Sequence, residues 1–201
     1  MKKLALPLVM LLLLSFSTSS LKLTDEEREK AINELTESRE ELLSTLDGVS
    51  DEQLNFKPDE STWSLAEITE HLAIAENAIS GMVQQSLQAP VDEASPKEAS
   101  VTDEQILQII RDRSKKVKTQ EPLEPKDKFG SFEESLEAFK QKRQENIDYV
   151  KTTDDDLREH FTKLPFGSVD AYQLILFMSG HTQRHIAQME EVMDNENFPE
   201  D

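Results

Sequence analysis

The chain has 201 residues, enough for one ordinary domain with a leader. With 22 basic and 41 acidic residues its net charge is −19, which sets it against phosphate backbones and anionic membrane surfaces and argues against nucleic-acid binding. The absence of cysteine excludes disulfides, iron–sulfur clusters, thiolate zinc sites and a cysteine nucleophile, while 5 glycines and 2 tyrosines speak against an all-β chain.

Lys2 and Lys3 precede an apolar run from Leu4 to Phe16, and the small residues Ser17, Thr18, Ser19 and Ser20 follow. Positive, then apolar, then small is the order of a secretory signal peptide, here residues 1–20, with cleavage near Ser19 or Ser20. The run is shorter than the roughly 20 residues a spanning helix needs. The mature chain is therefore expected to be exported, periplasmic or extracellular, without stable membrane insertion. An uncleaved N-terminal anchor is the alternative.

The remaining segments carry a helical period, and the expected domain spans residues 21–194. A first helix opens at Thr24 with Glu27 three residues on, a capping box, and its stripe is Ile32, Leu35, Leu42, Leu43 and Leu46 before Gly48 stops it. A second opens at Ser64 with Glu67 in the same relation and carries Leu65, Ile68, Leu72, Ala75, Ile79, Met82 and Val83. Pro90 and Pro96 mark residues 89–101 as a surface loop. A weaker third helix starts at Thr102, with Gln105 in the box position, and is expected to bury Ile106, Ile109, Ile110 and Val117. Pro122, Pro125 and Gly130 break the chain before a helix capped by Ser131, with stripe Phe132, Leu136, Phe139, Ile147 and Val150. A loop holding Pro165 and Gly167 leads to the last and most apolar helix, expected from about Ser168 to Met193. Residues 195–201 read as an acidic flexible tail.

Four histidines occur: His71, His160, His181 and His185. On the last helix the inward line runs Ala171, Leu174, Met178, His181, His185, Gln188, Val192, in steps of three and four. Two imidazoles thus stand where aliphatic side chains are expected, on adjacent turns of one face, where both can meet one metal ion. His71, at the edge of the second helix's inward stripe, is the natural third ligand. Spacing alone leaves open whether these are ligands or core histidines bonded to protein partners. Glu67 is either a second-shell acceptor for His71 or simply the capping-box residue, and Gln188 is a second candidate to orient an imidazole. Arg184 fits a substrate anion or a surface role. His160 reads as solvated or loop-packed rather than as a ligand. His181-Thr182-Gln183-Arg184-His185 lacks the glutamate of a His-Glu-x-x-His protease helix, and no histidine has glutamate three residues before it, as di-iron carboxylate bundles require.

Asn55-Phe56-Lys57-Pro58 with Trp63-Ser64-Leu65-Ala66-Glu67-Ile68-Thr69-Glu70-His71-Leu72 resembles the opening of the DinB-like superfamily. Phe166-Gly167 and Ala171-Tyr172-Gln173 through His181-Thr182-Gln183-Arg184-His185-Ile186-Ala187-Gln188-Met189 resemble its C-terminal helix. The resemblance covers about residues 24–193. It implies an all-α, up-down-down-up four-helix bundle, frequently dimeric, holding one divalent metal ion, zinc or nickel, on three histidines that map to His71, His181 and His185. It also implies a small-molecule substrate and a metal-dependent hydrolase or thiol transferase. Thiol cofactors are chiefly cytosolic, so an export leader weighs against thiol transfer. Two other readings stand beside the enzyme: a non-catalytic exported bundle that binds metal or a partner, and a structural bundle without metal.

Overall fold

The computed structural model describes residues 22–89, 98–114 and 116–200. The expected signal peptide and most of the loop with Pro90 and Pro96 lie outside them. The described residues are mostly helical: α1 (Asp25–Thr45), α2 (Asp51–Asn55), α3 (Leu65–Gln88), α4 (Asp103–Arg111), a 3-10 turn (Glu121–Leu123), α5 (Phe132–Thr152), a hairpin of β1 (Phe161–Leu164) and β2 (Gly167–Asp170), and α6 (Ala171–Met193).

Local chemistry accounts for where the helices begin. Thr24 with Glu27, Ser64 with Glu67 and Thr102 with Gln105 form reciprocal capping boxes, as their spacing predicts. Each cap satisfies backbone N–H groups that the helix itself cannot, and is worth about 1 kcal/mol. Ser50 with Gln53 caps the short α2, which the sequence reading did not separate from its loop. At the far end of α1, Gly48 adopts φ 75°, a conformation that ends a helix readily only in glycine.

Two boundaries differ from the sequence-based expectation. The third helix stops at Arg111, which leaves Val117 beyond it and 76% exposed, and Ile109, inside the helix, is 41% exposed rather than buried. The Asp112 carboxylate accepts hydrogen bonds from the Ser114 amide and hydroxyl, a local turn that competes with continued helix. Arg184 donates to the carbonyls of Ile110 and Asp112 and so satisfies that helix end. The last helix begins at Ala171, because residues 167–170 pair antiparallel with residues 161–164 instead. Asp170 and Gln173 then form the capping box. Gly167, at φ 142°, is needed for this hairpin: a β-carbon there would lie 2.8 Å from that of Ser100, whose backbone and hydroxyl bond Ser168. Beyond α6, Phe198 rests edge-on to Phe56 at 5.5 Å, and Gln53 donates to the Pro199 carbonyl.

The four long helices pack mutually, α3 against α5 and α6, and α1 against α5 and α6, with α4 lying on α6. Apolar side chains divide into two clusters. One surrounds Tyr172, Leu174, Leu176 and Ile106; the other surrounds Leu42, Leu65, Leu72, Phe139 and Met189. A polar network is buried with them. Arg143 on α5, 0% exposed, forms a two-pronged pair with Glu76 on α3, 2% exposed, at 2.7 and 2.8 Å. Its remaining N–H groups reach the Leu35 carbonyl and Ser38 hydroxyl of α1 and the Thr182 hydroxyl of α6. Asn146 donates to the same glutamate. A second cluster, centred on Arg158, joins Glu27, Asp103 and Asp170 at the starts of α1, α4 and α6. The guanidinium also lies 4.0 Å over the Tyr172 ring.

Removing one partner of a buried pair strands the other charge, at about 3–5 kcal/mol. Arg143→Ala and Glu76→Ala are each expected to lose stability of that order in urea denaturation. The double substitution Arg143→Met with Glu76→Leu should lose clearly less than the two single losses added together.

Candidate metal centre

Helix geometry brings the site together from two elements. His71 lies in the second turn of α3, whose start is fixed by the Ser64–Glu67 cap, and His181 and His185 lie one turn apart on α6. The ring centroids form a triangle of 5.2 Å (His71–His181), 4.6 Å (His71–His185) and 4.6 Å (His181–His185). One nitrogen from each ring lies within 4.8 Å of the other two, so the group can hold a metal ion.

The outward nitrogens are engaged. His71 Nδ1 lies 2.8 Å from the Leu123 carbonyl, which can only accept, so Nδ1 carries the proton and the Nε2 lone pair faces the other rings. His185 Nδ1 lies 2.9 Å from Gln188 Oε1, which orients that ring in the same sense. His71 Nε2 and His181 Nε2 are 3.4 Å apart. Two ligands on a tetrahedral zinc ion at about 2.0–2.1 Å stand about 3.3 Å from one another, so this separation suits a shared ion. It is long for a hydrogen bond between the two rings.

Electrostatics favours the neutral, ligating form of each imidazole. His71 is 2% and His185 7% exposed, and His181 is half-buried. Burial holds the His71 pKa below its ordinary value, against the opposing hydrogen bond to Leu123. Burial, reinforced by His71, Arg184 and Arg143, pushes His181 down to about 3. His185 is held well below the usual range by burial and then by its two histidine neighbours.

Aromatic rings flank the triangle. Trp63 sits 5.0 Å from the His71 ring and stacks on His185 at 6.4 Å, while Phe177 stacks on His181 at 5.8 Å. At these distances the rings pack against the imidazoles.

The sequence-selected residues divide clearly. His71, His181 and His185 converge, and Gln188 orients one of them. Glu67 does not reach His71; its carboxylate accepts from the Ser64 amide and pairs with Lys57. Arg184 bonds the end of α4. His160 is half-buried, with Nδ1 3.0 Å from the Ser86 carbonyl, away from the triangle. The Leu123 carbonyl was not anticipated, since a backbone acceptor leaves no mark on residue identity. The paired prolines at 122 and 125 mark only that the chain turns there.

The family model described as the DinB superfamily matches residues 34–189. The chain is 30% identical over 161 residues to the uncharacterized protein YuaE of Bacillus subtilis (strain 168), an alignment covering 79% of this chain and 94% of that protein. No solved structure matches.

Because folding depresses all three histidine pKa values, the unfolded chain takes up protons below its ordinary value of about 6.5 that the folded chain refuses. Stability from these groups is present above that pH and is lost as pH falls toward the folded values. Metal-free protein should lose unfolding free energy, measured by urea denaturation, from pH 7 to 5.5, by at most about 1.4 kcal/mol per pH unit for each histidine. His185→Leu should flatten that dependence.

Proposed function

The chain belongs to the DinB superfamily, whose members bind metal, and from that premise we propose that His71, His181 and His185 hold one divalent metal ion, zinc or nickel, at the reactive centre of a small-molecule hydrolase or transferase. The observation that carries the reading is the convergence of three neutral imidazoles, two of them oriented by acceptors outside the triangle. In the same reading the four long helices run up-down-down-up, and residues 1–20 direct export before removal.

A divalent ion there supplies a Lewis acid that acidifies a bound water or polarises a substrate oxygen. The chain's own residues do the rest. Leu123 and Gln188 hold the Nδ1 protons of His71 and His185 and so leave Nε2 free to donate electrons inward. Trp63 and Phe177 pack against the imidazoles and offer apolar surface beside the centre. Three protein ligands leave at least one position for water or substrate, the arrangement of reactive rather than structural sites.

A second reading, a non-catalytic exported bundle that binds metal or a partner, is favoured by one observation. Glu67, the carboxylate one turn before His71, is engaged by the Ser64 amide and Lys57 rather than free to act as a general base. Catalysis would then have to proceed without a separate carboxylate base from that position.

Untagged mature protein purified without chelator is expected to carry close to one metal ion per chain by elemental analysis, and His185→Ala close to none. A metal-free parent protein would contradict the proposal. Assays of parent and His181→Ala against ester, amide and thiol-conjugation panels separate the two functional readings. Activity lost in the variant supports the enzyme, and equal background rates in both support the binding bundle.

A further inference from the structure

Glu70 directly precedes His71 on α3, and consecutive helical residues project about 100° apart. The two side chains nevertheless meet the same loop. Leu123 supplies the carbonyl that accepts from His71 Nδ1. A few residues on, the backbone N–H groups of Lys126, Asp127 and Lys128 all donate to the buried Glu70 carboxylate, at 3.1, 3.2 and 2.6 Å.

Three successive N–H groups converging on one anion form a nest, which requires a left-handed backbone turn. Asp127 provides it, at φ 55°, the single non-glycine residue with positive φ among the described residues. Pro125 lies between the two attachment points and Pro122 directly precedes the first, and each fixes the backbone φ where it stands. The loop is thus fastened to α3 twice, by donors onto Glu70 and by an acceptor for His71. The histidine contact is one neutral hydrogen bond, whereas the glutamate contact is three charge-assisted ones, so the second sets where the first can form.

Resting on the metal-centre reading above, we propose that Glu70 is a positioning residue for that centre: by holding the 123–128 loop through its nest, it places the Leu123 carbonyl that fixes the tautomer and plane of His71. A glutamine cannot replace it fully, because one face of the amide presents N–H groups to the Asp127 N–H.

Two measurements test this on parent, Glu70→Gln and Glu70→Ala proteins. The first is zinc affinity by competition with a chromophoric chelator. The second is long-range proton–nitrogen NMR of the imidazoles in metal-free protein, which reads the tautomer whether or not metal binds. The parent should show His71 as the Nδ1–H form. Glu70→Ala should show mixed tautomers and a ten- to hundredfold loss of zinc affinity, with Glu70→Gln intermediate. Arg158→Met, which loosens the distant helix starts, should leave both readings unchanged. Retention of the pure Nδ1–H form in Glu70→Ala would overturn the proposal. Should Glu70→Ala fail to fold, the same criterion applies to Glu70→Gln. A parent protein without zinc affinity would contradict the metal reading alone, and the tautomer would still decide the role of Glu70.

Discussion

The relative register of α3 and α6 depends on one buried guanidinium. Arg143 reaches Glu76 on α3, Leu35 and Ser38 on α1, and Thr182 on α6, so a single side chain on α5 touches all three of the other long helices. A buried ion pair adds little net stability compared with apolar packing, but breaking it is expensive. Sliding either helix by a turn would leave a charge without partners in the core. Glu76 lies five residues after His71, and Thr182 directly follows His181. The register that satisfies Arg143 is therefore the one that brings His71 Nε2 within 3.4 Å of His181 Nε2.

Around that constraint the site is assembled from opposing tendencies. The chain as a whole is strongly acidic, which raises the local concentration of cations near its surface. The centre itself is neutral and mostly buried, so its imidazoles resist protonation and keep lone pairs for coordination. Acceptors from two sources orient the rings, Gln188 from within α6 and Leu123 from the loop before α5. The first is local and robust. The second depends on a loop held to α3 by Glu70.

Much of this was legible in the residues. Capping boxes announced the starts of α1, α3 and α4, because a side-chain acceptor and its reciprocal partner leave a three-residue signature. The histidines stood out because polar rings occupied an apolar stripe. Glu76 and Arg143 sent the same kind of signal: each interrupts an inward stripe, Glu76 between Leu72 and Ile79, Arg143 between Phe139 and Ile147. Read singly they resemble solvated charges, and only their opposition across α3 and α5 reveals a pair. The hairpin before α6 was hidden because Pro165 and Gly167 suit an open loop as well as a tight turn. The early end of α4 was hidden because its stripe continues to Val117, while the Asp112 turn and the Arg184 contact that stop it are local or tertiary.

The claim on which the functional account turns is that imidazoles from α3 and α6 share one ion. X-ray absorption on untagged, metal-loaded protein measures it directly. The account predicts nitrogen scatterers at about 2.0–2.1 Å with the outer-shell pattern of three imidazoles, the remainder of the shell being light oxygen or nitrogen atoms. A shell with one imidazole or none, built mainly from carboxylate oxygens, would place the ion elsewhere on this acidic surface and contradict it.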